Sequence, residues 1–351
     1  MLENKWYDIV RQAIHAPSGE GMKTILDTLW SSGVYEMRSS PLRIACTVVL
    51  EEQTTELPAS VGWLLKRIRD AGFPPAYPNY LAMDALGVCD PARMSSPQLA
   101  KATFHLIYDL LLQLLEVPQL ANHPQRARLE KAVHRILEKC REYAFSKTPV
   151  AALPRYAIEI SLSPESNVLD ELIFLRVLQC TDSVFFTTSA LADTANEMIE
   201  YDNLVEAIVA LHWLACLSSM LLPLLRPLVS MSIDNWWQIR PRIEKPSAIQ
   251  STYFHKLCGQ LNQIRRILDH THTSEEQQRY IPMCSELMDL AYASIQSWYN
   301  AHTRIAAKYG RATAVYKPKG VAWLEKQIPL PEFANSASAV KALAAKQKMA
   351  D

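Results

Sequence analysis

The sequence predicts an all-α protein, and three observations lead to that fold class. Only nine of the 351 residues are glycine, whereas residues with high helix propensity are abundant. Apolar side chains recur at helical spacing along most long segments. Ser40-Pro41 and Ser96-Pro97 have the pattern of helix starts, in which a capping serine is followed by a proline in the first turn.

Composition and charge argue against several classes of function. The 36 basic and 36 acidic residues balance, and no basic run indicates a nucleic-acid partner. The sequence contains no glycine-rich phosphate loop. The seven cysteines have neither zinc-knuckle nor covalent-haem spacing, so we expect reduced thiols in a cytoplasmic protein. The first ten residues lack the layout of a signal peptide.

One apolar segment, residues 204–229, is long enough to cross a membrane. It contains Glu206, His212, Arg226 and two prolines. A helix that is apolar nearly all round is also typical of the centre of a globular protein. We therefore interpret the segment as a buried helix and expect a soluble protein with no membrane partner.

The order of elements predicts a helical N-terminal region over residues 1–150 and a helical domain over 151–332. Residues 155–167 are the only segment in which we consider a short strand. A long helix is expected from 168 to about 201, a loop around Trp236-Trp237, and a last helix from 282 to 310. The tail, 333–351, is rich in Ala, Ser and Lys and is predicted to be flexible.

The last predicted helix carries an apolar stripe with one histidine in its middle. Its positions, three or four residues apart, are Ala291, Ile295, Trp298, His302, Ile305 and Tyr309. A neutral imidazole on such a face is either a buried core residue or an axial ligand of a haem. Periodicity alone favours the core residue.

The segment SWYNAHTRIAAKYG, residues 297–310, resembles the proximal-histidine helix of the tryptophan and indoleamine 2,3-dioxygenase superfamily. A tryptophan stands four residues before the family's histidine, as Trp298 does here, and Lys308-Tyr309 matches a run in the indoleamine enzymes. The resemblance implies that His302 binds haem iron. It places the side chains of Trp298, Tyr299, Arg304 and Ile305 around the haem.

Residues 235–251 resemble the family's stretch with an aromatic residue four positions before an arginine, followed by a Ser-Gly-Phe-Gln-Ser loop. This loop reads Ser-Ala-Ile-Gln-Ser here and begins at Ser247. The resemblance assigns Arg240 to the substrate carboxylate and Trp236 and Trp237 to the distal pocket. By residue type alone, Arg240 could equally be a solvated surface group, and the two tryptophans could be core anchors.

A third segment, beginning at Leu169, resembles the family's distal helix. Asp170-Glu171 and Phe174 match it, and Leu178 stands where the family has a histidine or a serine. The three segments follow the family's order and together span roughly residues 168 to 325. The implied fold is a helical haem domain of the dioxygenase type, preceded by an additional helical region.

Some positions depart from the family pattern. The Gly-Thr-Gly-Gly loop after the proximal helix is missing, and Tyr299 replaces an arginine that contacts a haem propionate. Arg304, Lys308 and Arg311 are the candidates to replace that contact. Position 306 is alanine where covalent-haem members carry cysteine, so we expect non-covalent haem b.

The resemblance implies a haem-dependent oxygenase that uses dioxygen on tryptophan or a modified indole amino acid in specialised metabolism. Two alternatives remain open: hydroxylation of another aromatic amino acid, and a non-enzymatic helical module. A metal site at His270 and His272 lacks a third ligand at a telling spacing. The sequence leaves open whether the protein is a monomer or a homo-oligomer.

Overall fold

The computed structural model describes residues 2–53, 56–73, 75, 80–86, 91–144, 153–243, 248–270 and 278–310, and every regular element in these ranges is helical. The all-α prediction is therefore confirmed. The α-helices are α1 (Leu2–His15), α2 (Glu20–Ser32), α3 (Pro41–Glu52), α4 (Ala59–Arg69), α5 (Met83–Leu86), α6 (Ser96–Glu116), α7 (Arg126–Ala144), α8 (Arg155–Ser161), α9 (Leu169–Glu200), α10 (Leu204–Ser218), α11 (Leu221–Leu224), α12 (Ile233–Ile239), α13 (Thr252–His270) and α14 (Ile281–Gly310).

The described residues form two compact units. The first lies within Met1–Cys89, His105–Ser183 and Arg226–Gln250, and the second within Asp90–Phe104, Val184–Leu225 and Ser251–Asp351. Described residues on both sides of position 150 contribute to each unit, so the units differ from the predicted division there. The predicted flexible tail, 333–351, lies outside the described residues.

In the first unit, the N-terminal helices pack against one another in sequence. Helix α1 contacts α2 and α3, α3 contacts α4, and α4 contacts α5 and α8. Ser40 caps α3 as predicted, because its side chain accepts a hydrogen bond from the N–H of Leu42 at 3.0 Å. Helix α7 packs on the 3₁₀ turn Arg226–Ser230.

The segment after α2 is attached to the loop that precedes α9. Gly33 has a φ of 81°, and a Cβ there would lie 2.5 Å from the backbone of Glu165 and Ser166, so only glycine fits without strain. The N–H of Val34 donates to the Pro164 carbonyl at 2.7 Å. Trp30 donates from Nε1 to the Leu162 carbonyl at 2.7 Å. The N-terminal helices therefore hold the chain just before the long helix begins.

In the second unit, α10, α11 and α13 all pack against α14. The predicted stripe on α14 faces this core: Ala291, Ile295 and Trp298 are buried. Helix α13 is linked to α9 by an ion pair of 2.7 Å between Lys256 and Asp193. The predicted bounds of α14 are confirmed to within one residue, because the helix runs from Ile281 to Gly310.

The strand considered for residues 155–167 is wrong, since Arg155–Ser161 forms α8. Pro154 starts this helix, and Arg155 pairs with Glu159 one turn later at 2.8 Å. The alternation of apolar and polar residues in this short segment resembles that of a strand, but the helix buries Ala157, Ile158 and Ile160. Seven residues are too few for the two periods to be told apart reliably.

The loop predicted around Trp236-Trp237 is also wrong, since both residues lie in α12. The Ser232 hydroxyl accepts from the N–H of Asn235 at 3.0 Å and so caps the helix start. The sequence shows this cap as Ser-Ile-Asp-Asn. Proline at position 241 ends the helix after only two turns, so the sequence contains too little periodicity to reveal it.

The apolar stretch from Leu204 to Ser230 meets the length and hydropathy of a membrane span, and half of its most apolar window is buried inside the protein. The core helix of a soluble protein meets the same test. Leu204, Leu211 and Leu214 of α10 are completely buried, whereas Val205 is 48% exposed. The prediction of a buried helix therefore holds for one face of α10 only.

Candidate functional site

His302 lies on the inner side of α14, one turn after Trp298. The two rings stack with centroids 5.2 Å apart and an interplanar angle of 30°. Trp298 is fully buried and contacts Phe185 and Phe254, whose centroids lie 5.0 and 5.3 Å from its ring. The imidazole therefore rests on one edge of an aromatic cluster built by α9, α13 and α14.

The imidazole of His302 is half-buried as a whole, while its Nδ1 is enclosed and has no hydrogen-bond partner. Burial lowers the pKa of His302 to about 4, because loss of water disfavours the charged ring. The ring is therefore neutral at pH 7. A neutral imidazole is the form that coordinates a metal, and an enclosed nitrogen without a partner costs about 1 to 3 kcal/mol.

The other residues predicted around a haem differ in exposure. Tyr299 is buried, Ile305 is half-buried, and Arg304 is exposed, with its Nε donating to the Asn300 carbonyl at 3.2 Å. Trp298 has its Nε1 enclosed without a partner. Arg304 stands two residues after His302, so the two side chains leave α14 about 200° apart, and the structure does not bring the guanidinium to the imidazole.

The predicted distal residues lie in the first unit, and the structure brings two of them together. Phe174 of α9 and Trp236 of α12 make an edge-to-face contact with ring centroids 5.0 Å apart. Leu178, one turn after Phe174, is buried. Trp237 is half-buried, with its Nε1 enclosed and without a partner. The structure thus makes Phe174 and Trp236 neighbours within the first unit, and their role in a distal pocket stays a prediction.

Arg240 directly follows α12 and begins the 3₁₀ turn Arg240–Arg242. Its side chain is half-buried, so it is less exposed than an ordinary surface arginine. Arg242, at the end of the turn, lies over the ring of Tyr35 at 5.5 Å and pairs with Glu36 at 3.3 Å. Ser247 lies outside the described residues, as does most of its loop.

Sequence reasoning missed the role of Asp170, which it used only to match a motif. Its carboxylate is buried and accepts from His123 Nε2 at 2.6 Å, from the Ser232 N–H at 2.7 Å and from Asn235 Nδ2 at 3.0 Å. The helix that carries Trp236 is thereby attached to the start of α9. The sequence contains no signal for His123, which is 47 residues away.

The neighbouring Glu171 forms a separate buried network. It accepts from Tyr80 at 3.1 Å, from the Glu165 N–H at 2.7 Å and from the Ser166 N–H at 2.8 Å. The Ser166 hydroxyl also donates to it. Burial raises the pKa of Glu171 to about 7, although these hydrogen bonds oppose the rise.

The metal site considered at His270 and His272 stays untested. His270 ends α13, and residues 271–277 lie outside the described ranges. Within the described part of the chain, no group of three or more His, Cys, Asp or Glu residues could hold a metal ion. A haem ligated by one histidine does not need such a group.

Comparison with known proteins gives no match, since no family model, no curated protein and no solved structure is significantly similar to this chain.

Proposed function

We propose that the protein is a cytoplasmic haem-dependent oxygenase with a helical haem domain of the dioxygenase type, and that His302 is the iron ligand. The observation that carries the proposal is the state of that imidazole. It is neutral at pH 7, stacks on a buried tryptophan, and has an enclosed nitrogen without a partner. The ordered resemblance of three sequence segments adds support.

The residues of the second unit that would hold a non-covalent haem b lie on α14. His302 would bind the iron, and Ile305, three residues later on the same face of α14, would contact the ring. Ferrous haem, when bound, supplies the centre at which dioxygen binds. The task of the chain is to keep the imidazole neutral, and burial of Nδ1 achieves this.

The substrate would be tryptophan or a modified indole amino acid. Arg240 would offer two N–H groups to its carboxylate, a charged contact worth about 1.5 to 3 kcal/mol. Phe174, Trp236 and Leu178 would exclude water from the indole and contact its faces and edges. The side chain of Leu178 itself offers no general base to the ring nitrogen.

The test of haem binding is the Soret absorbance of the protein reconstituted with haemin. We expect one haem for each wild-type chain and loss of the five-coordinate ferrous spectrum in His302→Ala. The matched control is His255→Ala, which removes an exposed histidine of the same unit. A wild-type protein that stays colourless with added haemin, or a His302→Ala variant with an unchanged spectrum, would contradict the proposal.

A second candidate, a non-enzymatic helical protein, is favoured by one observation. Trp298 is completely buried between Phe185 and Phe254, as a core residue is, and His302 could simply extend that core. If the protein is of this kind, wild type and His302→Leu should bind equally little haem. The variant should have a higher free energy of unfolding than wild type, because a methyl group replaces an unpaired nitrogen.

Dioxygenation and hydroxylation differ in how many oxygen atoms enter the product. With ¹⁸O₂ and L-tryptophan, we expect two labelled atoms in the product by mass spectrometry. One labelled atom, or turnover of tyrosine instead, would assign the protein to the hydroxylase alternative.

A further inference from the structure

We infer that Asp170 and His123 are positioning residues that fix α12 and thereby place Trp236 and Arg240 for substrate binding. The link to substrate rests on the proposed function. The attachment itself concerns only residues of the first unit and can be tested without haem.

The Asp170 carboxylate lies on the first turn of α9, where the helix dipole stabilises negative charge. One oxygen accepts from His123 at 2.6 Å, and the other accepts from the Ser232 N–H and from Asn235 Nδ2 at 2.7 and 3.0 Å. Ser232 is the N-cap of α12, and Asn235 lies in its first turn. Asp170 is 1% exposed, so the acceptor side of these bonds is enclosed by protein.

His123 holds the carboxylate in one orientation. The N–H of Gln125 donates to His123 Nδ1 at 3.1 Å, which leaves Nε2 as the protonated nitrogen that faces Asp170. The imidazole is itself buried. The pair therefore directs a fixed acceptor oxygen toward the start of α12.

The segment from Ser232 to Arg242 contacts the rest of its unit at its start, its middle and its end. Asp170 holds its start, and Phe174, one turn further along α9, contacts Trp236 at its middle. At its end, Arg242 stacks on Tyr35 and pairs with Glu36. Arg240 lies between the last two points, so its position depends on both ends of the segment.

The test compares two neighbouring carboxylates with different partners. Asp170→Asn replaces one carboxylate oxygen with an amide NH₂ group, so at least one donor loses its acceptor. Glu171→Gln makes the same change at an equally buried residue whose partners are Tyr80, Glu165 and Ser166. General loss of stability affects both variants, whereas loss of the attachment affects only Asp170→Asn.

Hydrogen exchange followed by mass spectrometry is the first readout. In Asp170→Asn, we expect the Ser232 amide and the peptide over residues 232–240 to exchange about tenfold faster or more, as loss of a charged hydrogen bond implies. In Glu171→Gln the rate for that peptide should change no more than the rates of peptides elsewhere in the protein. Equal rates in the two variants would overturn the inference. If Asp170→Asn fails to fold, Asn235→Ala replaces it as the test. This variant removes one half-buried donor and should raise the exchange rate of the same peptide.

The second readout is the dissociation constant of L-tryptophan compared with that of indole, from the haem spectrum. Misplacing Arg240 should raise the constant for L-tryptophan about tenfold more than the constant for indole. Equal changes would overturn the link to the carboxylate. A wild-type protein that binds haem but neither ligand would contradict the proposed substrate, while hydrogen exchange alone would still decide the attachment.

Discussion

Two titratable residues, the half-buried His302 and the buried Glu171, give this protein opposite dependences of stability on pH. In the apoprotein, His302 has a pKa of about 4, against about 6.5 in an unfolded chain. The folded form therefore binds fewer protons in this window, and the free energy of unfolding decreases as the pH falls from about 6.5 toward 4. Glu171, with a pKa of about 7, binds more protons when folded and has the opposite slope between about 4.5 and 7.

For His302, we expect apo His302→Leu to lose less stability than wild type when the pH falls from 7.5 to 5. The leucine has no proton to gain, so the acid-sensitive contribution disappears. Urea unfolding at the two pH values measures the difference. A variant that loses as much stability as wild type would place the imidazole in water.

For Glu171, the substitution Glu171→Gln should cost about 1 to 3 kcal/mol at pH 5, because the amide puts two N–H donors where the protonated carboxyl has a single O–H, among groups that already donate. The variant should also lose the decrease in stability that wild type shows as the pH rises from 5 to 7. Urea titrations of both proteins across that range provide the check. A slope that survives in the variant would show that Glu171 is ordinarily ionised.

Single residues also mark the limit of what the sequence can predict. Helical spacing predicts which face of α14 is buried, and it places His302 there. It does not predict that Nδ1 lacks a partner, because that depends on side chains from other helices. Asp170 and Glu171 are visible as two acids at a helix start, but their donors come from residues 5 to 91 positions away.

Among the elements, the attachment of α2 to the loop before α9 depends on one glycine. Gly33 has a left-handed backbone and touches the backbone of residues 165 and 166. A methyl group there would meet fixed atoms, so Gly33→Ala should destabilise the protein by more than about 1 kcal/mol. Thermal unfolding measures the loss. Gly62→Ala is the control, since its Cβ would meet only a side-chain atom at 3.7 Å, and it should leave the melting temperature unchanged or raise it.

The sequence predicts long helices better than short ones. The long helices α9 and α14 are predicted within one or two residues because each has many turns of consistent spacing. Helices α8 and α12, each of seven residues, are missed. In both, capping and neighbouring packing decide the conformation, and two turns contain too little periodicity to indicate it.

Across the whole molecule, five of the six described cysteines are buried and one, Cys216, is half-buried. Burial raises the pKa values of Cys46, Cys180 and Cys258 to about 12, so these thiols stay protonated and unreactive. Of the described cysteines, we therefore expect N-ethylmaleimide to label Cys216 first in the native protein. Peptide mapping after short labelling identifies the site. Rapid labelling of Cys180 would indicate that α9 opens readily, and Cys216→Ser is the matched control.

The paired carboxylates at the start of α9 also restrict how this sequence can change. Neighbouring residues on a helix point about 100° apart, so Asp170 and Glu171 reach different partners from one turn. Exchanging the two residues would keep charge and composition but would direct the shorter acid toward Ser166 and the longer one toward Ser232. In descendants of this chain, the order of the two acids should therefore persist even where the residues around them drift.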